Sequence, residues 1–237
     1  MKLYPFGYYI GFDQWYFILI IPAIIISLIA QVSVKSTFTK YAKIPTMRGI
    51  TGAQAAEAVL HKNGVVGVRI ERVSGQLTDH YDPKTNVIRL SDSVYQSNSI
   101  AAVGVAAHEA GHAVQYAEEY IPIKIRGVIY PIAQVGSYLS WILILFGLFM
   151  NFSGLIFAGI IAFSAAVVFQ LVTLPTEFNA SKRAIEGIQS TYSLDEEETK
   201  GAKAVLRAAA MTYVAAVIVS LAQLLRLLLI FGGRRRN

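Results

Sequence analysis

Residues 108–112 read His-Glu-Ala-Gly-His, so that two metal-binding side chains enclose a carboxylate. In a helix, His108 and His112 lie one turn apart on the same face, and one nitrogen of each imidazole can bind the same zinc ion. Glu109 lies beside the first ligand, where it can take a proton from a metal-activated water. The pattern predicts zinc-dependent hydrolysis, with His108 and His112 as ligands and Glu109 as the catalytic base.

A catalytic zinc ion usually has a third protein ligand and one position open to water. Cysteine is absent, so this ligand must be histidine, glutamate or aspartate. Glu119 would lie about 10 Å beyond His112 along a continuous helix, and Asp79 and His80 fall in a predicted loop. Glu177, which follows a long uncharged segment, is the better candidate. By position alone, a surface glutamate near a helix start explains Glu177 equally well.

The composition indicates an integral membrane protein. The 237 residues are 54% hydrophobic and only 15% charged, and the mean hydropathy is +0.49. Soluble domains have nearer a quarter of charged residues. The net charge is +6, but the basic residues are scattered and form no dense stripe of the kind that nucleic acid needs. The expected partners are therefore the lipid bilayer and a protein or peptide substrate, without nucleic acid; the oligomeric state is not predicted.

Uncharged segments long enough to cross a bilayer occur in three places. The first covers residues 15–34, and the second is a run of fifty residues from 127 to 176, which suits two spans at about 128–150 and 155–174 with a turn at 151–154. The third, at 208–225, is short, and a helix lying in the membrane interface is its alternative reading. Arg226 at its end is expected to extend toward a membrane surface. Aromatic residues are expected at the membrane interface (Tyr8, Tyr9, Trp15, Tyr16), and small residues at helical spacing would let two membrane helices pack closely (Ala158, Gly159, Ala162, Ala165, Ala166). Small residues without a packing role explain the second set equally well.

The two polar stretches, about 35–126 and 175–206, lie on the same side of the membrane in this arrangement. Their lysines and arginines place both in the cytoplasm by the positive-inside rule, which leaves the N-terminus outside. Arg234, Arg235 and Arg236 argue against this orientation if the last segment spans the membrane.

Within the first polar stretch, Thr51 is a predicted N-cap, with Gln54 three residues on, for a helix that ends near Lys62. Strands are predicted at 65–73 and 86–90, with a loop at 79–84 between them. Ser97 or Ser99 is expected to cap the helix that carries the zinc motif to about residue 118. The strand at 86–90 is the predicted sheet edge that holds an extended peptide.

The predicted fold is a mainly α membrane protein with three to four transmembrane helices. A small α+β zincin-like catalytic domain is inserted between the first and second spans. The predicted boundaries are 1–34 for the N-terminal segment and first span, 35–126 for the catalytic domain, 127–174 for the transmembrane hairpin, 175–206 for the segment with the third ligand, and 207–237 for the last hydrophobic helix and basic tail.

Three segments together resemble a known family: the motif at 106–115, Asp-His-Tyr-Asp-Pro at 79–83 and Leu-Pro-Thr-Glu-Phe-Asn-Ala-Ser at 174–181. The chain resembles the bacterial membrane-bound neutral zinc metallopeptidases of the YugP type and, more distantly, the HtpX membrane proteases. The resemblance implies a zinc peptidase in which Glu177 is the third ligand. In the distant relatives an aspartate lies four residues after this glutamate. Here that position is Ser181, so Asn179 or Ser181 is expected to orient a ligand instead.

The sequence thus predicts a membrane-embedded zinc endopeptidase that cleaves membrane or membrane-proximal proteins, with one catalytic Zn²⁺. The alternative is a membrane zinc-binding scaffold, sensor or transporter without proteolytic activity. A scaffold needs no general base, and a transporter is expected to have carboxylates within its spans, which the hairpin lacks. A second oxyanion donor is also expected, and four candidates remain open: His80, Tyr81, Tyr95 and Tyr116.

Overall fold

The structure is a computed structural model that describes residues 13–192 and 194–232. The chain is mainly helical. After a π-helical turn at Tyr16–Ile20, the helices are α1 (Ile21–Tyr41), α2 (Gly52–Lys62), α3 (Asp92–Tyr95), α4 (Ile100–Ala117), α5 (Ile121–Phe149), α6 (Ser153–Tyr192) and α7 (Glu196–Phe231). The strands are β1 (Arg69–Val73), β2 (His80–Asp82) and β3 (Val87–Ser91). Tyr8, Tyr9 and Arg234–Arg236 lie outside the described residues.

Among the described residues, four helical segments are long and apolar enough to cross a membrane, and they contain nearly all of the uncharged residues at 15–34, 127–176 and 208–225. They are Tyr16–Tyr41, Ile121–Phe149, Ser153–Tyr192 and Glu196–Phe231. The predicted turn at 151–154 is confirmed: α5 ends at Phe149, α6 begins at Ser153, and Asn151 between them has a φ of 51°. The last two helices, with 40 and 36 residues, continue well beyond their uncharged parts.

The chain divides into two compact units. The first, which we call the span unit, comprises the described residues in 13–30, 125–173 and 212–232. Small residues bring α5 and α6 close together in it. A Cβ added to Gly136 would lie 2.7 Å from the carbonyl oxygen of Ala162, and one added to Gly159 would lie 2.8 Å from that of Ser140. The expected packing role of Gly159 and Ala162 is therefore confirmed.

A buried ion pair also lies in the span unit. Asp13 is 1% exposed and Arg226 is 4% exposed. The Nε of Arg226 donates to the Asp13 carboxylate at 2.9 Å, and a second guanidinium nitrogen contacts the same oxygen. Arg226, which was expected to extend toward a membrane surface, is held in this ion pair, where the opposite charge and the hydrogen bonds stabilise its buried charge.

The second unit, which we call the polar unit, comprises Gln31–Lys124 and Leu174–Met211. Its sheet has the order β1-β3-β2, with β3 parallel to β1 and antiparallel to β2. Two predictions were wrong here: β3 is the central strand rather than an edge, and the predicted loop at 79–84 contains strand β2. Val87, Ile88 and Leu90 of β3 are fully buried, as expected of a strand covered on both faces.

Helices α2 and α4 form the core of the polar unit, and their caps match the predictions. Thr51 and Gln54 form a capping box at the start of α2. The Ser99 hydroxyl accepts from the backbone N–H of Ala102 at the start of α4. Buried alanines on both helices share one apolar cluster with Val59. Because their side chains are small, this core holds the backbone of the motif helix in a well-defined position.

Candidate metal centre

Helix α4 presents the two histidines of the motif on one face. Their rings lie 4.7 Å apart between centroids and are nearly perpendicular, with an angle of 81°. His112 is buried and His108 is partly exposed. One helical turn therefore brings the two imidazoles together, as the spacing predicts.

Glu177 reaches the same place from α6. Its Oε2 lies 3.2 Å from Nε2 of His108 and 3.6 Å from Nε2 of His112. The carboxylate is only 2% exposed. It lies past Pro175, in the part of α6 that belongs to the polar unit. The structure thus brings together the three side chains that the sequence selected as ligands.

The geometry of the three donors fits a zinc ion. One ligand atom from each residue lies within 4.8 Å of the others. A tetrahedral zinc with bonds of about 2.1 Å separates its ligand atoms by about 3.4 Å, and the two measured nitrogen–oxygen distances lie on either side of that value. Two imidazoles and one carboxylate are also the ligand set of one class of catalytic zinc sites. The residues present therefore fit the ion.

The outer nitrogen of each imidazole also has a partner. Nδ1 of His108 lies 3.1 Å from the Ser181 hydroxyl, and Nδ1 of His112 lies 3.0 Å from Oε1 of Gln115. Ser181 was expected to orient a ligand, whereas Gln115 was missed. The signal for Gln115 was its spacing, because a residue three positions after a histidine shares its helix face. Both contacts leave Nε2 facing Glu177.

The electrostatics follow from this arrangement. Burial alone would lower the pKa of His112, but the hydrogen bond and negative charge of Glu177 outweigh it and raise the pKa. Burial alone would raise the pKa of the Glu177 carboxyl, but the hydrogen bonds and charges of the two histidines hold it well below its usual range. Glu177 is therefore an anion at neutral pH, which a cationic ligand requires.

Glu109 is held apart from the three donors. Its Oε2 accepts a hydrogen bond from the backbone N–H of Tyr81 at 3.0 Å. Tyr81 lies in β2, which is an edge strand of the sheet. The contact fixes the direction of the carboxylate beside the cluster and leaves it outside the ligand set, as expected of a base.

The alternative third ligands have other partners. Asp79 accepts from the backbone N–H and the hydroxyl of Ser91, at 2.7 and 3.0 Å. Nδ1 of His80 lies 2.8 Å from the Thr78 carbonyl oxygen. Glu119 is paired with Lys124. Among the described residues, only His108, His112 and Glu177 form a group able to hold a metal ion.

The three tyrosines that were candidate oxyanion donors lie in different surroundings. The Tyr81 hydroxyl donates to Asn86 Oδ1 at 2.7 Å. Tyr95 lines a groove of about 590 Å³ beside α2, together with His61. The Tyr116 ring lies 5.6 Å from the Tyr81 ring. The hydroxyl of Tyr81 is thus engaged by Asn86.

Gly111, inside the motif, permits the approach of α6 to α4. A Cβ at this position would lie 2.5 Å from the carbonyl oxygen of Ala180 and 3.1 Å from its carbonyl carbon. Real Cβ atoms do not approach backbone so closely. The glycine therefore lets the helix with Glu177 lie directly against the helix with the histidines.

Comparison with known proteins agrees with this site. A family model described as "Putative neutral zinc metallopeptidase" matches residues 16–232. The chain belongs to this family. It is also 48% identical over 220 residues to "Putative membrane protease YugP" of Bacillus subtilis (strain 168), a match that covers 92% of this chain and 98% of that protein. No solved structure matches the chain. The resemblance seen in the motifs is confirmed, and the family implies zinc.

Proposed function

We propose that the chain is a membrane-embedded zinc endopeptidase that cleaves membrane or membrane-proximal proteins. The observation that carries the proposal is the convergence of His108, His112 and Glu177, with Glu109 held beside them and outside the donor set. Membership of a zinc metallopeptidase family supports it. A purely structural metal site has no use for a second carboxylate held outside the donor set.

In this proposal, His108, His112 and Glu177 hold the zinc ion. When bound, zinc polarises the scissile carbonyl and lowers the pKa of the attacking water toward about 7. Glu109 accepts the proton from that water and later donates it to the leaving amine. The backbone N–H of Tyr81 keeps the Glu109 carboxylate aimed at the reacting atoms during both transfers.

The substrate is proposed to bind as an extended segment along β2. This strand is an edge of the sheet, and its Tyr81 N–H contacts Glu109 rather than the central strand. A peptide added at this edge would pair with main-chain groups of the strand other than the Tyr81 N–H, which holds Glu109, and would pass beside the base. In the chain, Glu177 follows the last residue of the span unit by only four positions, which favours substrates close to the membrane.

The proposed architecture places the catalytic domain, residues 35–126, between the first and second spans and completes it with the segment 175–206. Both segments carry lysines and arginines next to uncharged segments. On the positive-inside rule we propose that the site faces the cytoplasm.

The proposal predicts that Glu109→Gln keeps zinc and fold but loses activity. Glutamine is nearly isosteric with glutamate, and Glu109 is outside the donor set. Casein hydrolysis by detergent-solubilised protein should fall by about 100-fold or more, the usual contribution of a positioned acid–base group. Zinc content per protein should be unchanged. Hydrolysis near the unsubstituted rate would remove Glu109 from the mechanism, and no zinc-dependent hydrolysis by either protein would favour the scaffold, sensor or transporter.

A further inference from the structure

Gln115 is fully buried against the candidate metal centre, and its hydrogen bonds identify each end of its amide. The Nε2 group donates to the Thr176 carbonyl oxygen at 2.8 Å and to Asn179 Oδ1 at 2.9 Å. A side-chain amide has two N–H donors, and both are used by these acceptors. The atom that faces Nδ1 of His112 is therefore the carbonyl oxygen, Oε1, which can only accept.

The amide of Asn179, one step further from the metal centre, is oriented in the same way. Asn179 Oδ1 accepts from Nε of Arg183 at 2.7 Å. A guanidinium has donors and no acceptor, so it holds the oxygen of the Asn179 amide toward itself and toward Gln115. Arg183 in turn is paired with Glu118 at 2.7 Å. The directions of these hydrogen bonds are thus set from two ends, by the Arg183 guanidinium, which can only donate, and by the Thr176 carbonyl, which can only accept.

We propose that Arg183, Asn179 and Gln115 form a positioning relay that fixes the tautomer of His112. Because Oε1 of Gln115 must accept, His112 carries a proton on Nδ1, and Nε2, which faces Glu177, is the nitrogen left to bind the metal. The inference deepens the proposed function and rests on it, since it concerns the same metal centre. It assigns Gln115 and Arg183 a role that the motif itself does not contain.

The two histidines differ in this respect. The Ser181 hydroxyl next to His108 can donate or accept, so it is compatible with either tautomer of that ring. His112 has an acceptor of fixed direction. The relay therefore selects Nε2 as the metal-binding nitrogen of His112, because Nδ1 is held as a donor to Gln115.

One matched pair of variants isolates the acceptor. Gln115→Glu and Gln115→Met both lose the donors to Thr176 and Asn179 and have similar length, but only glutamate keeps an oxygen toward His112. The readout is the zinc dissociation constant of full-length protein in detergent, measured by competition with a chelator. We expect the methionine variant to bind zinc about tenfold or more weakly than the glutamate variant, the usual effect of losing a group that orients a ligand.

A second pair tests the origin of the relay at a less buried position. Arg183→Met removes the donor that orients Asn179, and Arg183→Lys restores a cation that can only donate. Lys182→Met is the control, because this neighbouring cation on α6 is exposed and pairs only with Glu186 among the described residues. We expect weaker zinc binding in Arg183→Met, recovery in Arg183→Lys, and no change in Lys182→Met.

The outcomes separate this inference from the proposed function. Equal zinc affinities of Gln115→Glu and Gln115→Met, or of Arg183→Met and Arg183→Lys, would overturn the relay alone. If a Gln115 variant does not fold, the Arg183 pair decides. Failure of the unsubstituted protein to bind zinc would overturn the metal centre itself and the relay with it. Zinc binding with these affinity differences but without hydrolysis would support the relay and reject the peptidase.

Discussion

Two buried carboxylates of this protein lie in different surroundings. Asp13, in the span unit, contacts the guanidinium of Arg226 through two nitrogens. Glu177, in the polar unit, faces the Nε2 atoms of His108 and His112. Both carboxylates are almost completely inaccessible to water, at 1% and 2% exposure. They differ in the chemistry of their partners.

The difference shows what separates a structural ion pair from a metal centre. A guanidinium carries a permanent positive charge and has no lone pair to offer, so Asp13 is neutralised by the protein itself. Imidazoles are neutral in one of their states and then have a free nitrogen lone pair. Glu177 and its two partners therefore present three electron-pair donors whose negative charge a cation can balance. Burial alone does not distinguish the two sites.

The largest expected effect comes from removing Glu177. Glu177→Ala should lose most bound zinc and all peptidase activity, because two imidazoles alone bind the ion weakly. Glu186→Ala is the matched control: it lies on the same helix but is exposed and paired with Lys182, so zinc and activity should be kept. Zinc is to be measured per folded protein. Zinc held with Glu177 removed, or lost in the control, would contradict the ligand assignment.

Breaking the ion pair of the span unit should destabilise the protein without changing zinc binding at the metal centre. Arg226→Met leaves the Asp13 carboxylate buried and unpaired, at an expected cost of about 3–5 kcal/mol. The thermal midpoint in detergent should fall, while zinc content per folded protein stays at its usual value. The double variant Asp13→Asn with Arg226→Met should recover part of the loss. A change in zinc content would show that the two carboxylates are not independent.

Gly111→Ala should have an intermediate effect that is confined to the polar unit. The added methyl meets the Ala180 backbone, so α4 and α6 must shift, which typically costs about 1–3 kcal/mol and weakens zinc binding. Gly104→Ala on the same helix is the control, since its added Cβ has only ordinary contacts at 3.7 Å. It should be neutral or slightly stabilising, because alanine favours a helix by up to about 1 kcal/mol. Equal zinc affinity of the two variants would argue against the close approach.

The smallest expected perturbation is a single cysteine substitution, which tests on which side of the membrane a residue lies. The chain has no cysteine, so single cysteines at Asn98, Ser190 and Asn151 report cleanly with an impermeant thiol reagent. The first two positions belong to the polar unit and should label from one side, and Asn151, in the turn between α5 and α6, from the other. Labelling of Asn98 and Ser190 from opposite sides would exclude the hairpin. Labelling of both from outside the cell would reverse the proposed orientation.

Local chemistry was readable from the sequence because it depends on short spacings. The one-turn separation of His108 and His112, the cap at Ser99 and the turn near Asn151 are set within a few residues, and all three appear in the structure as predicted. The strands were harder to predict from the sequence. Strand β2 has only three residues and no apolar alternation. Strand β3 was predicted to be an edge because the sequence of one strand does not show how many neighbouring strands it has.

Through-space relations were decided by the tertiary structure. The sequence alone left Glu177 equally explicable as a surface residue, and only the packing of α6 against α4, which Gly111 permits, brings its carboxylate to the histidines 65 and 69 residues away. The roles of Gln115 and Arg226 also depend on tertiary contacts, since the role of a buried polar side chain is set by the partner that replaces water. The sequence by itself determined the membrane character and the motif, and from the motif it predicted the base. The tertiary structure decided which distant side chains complete the site, because those contacts depend on how helices pack and not on spacing along the chain.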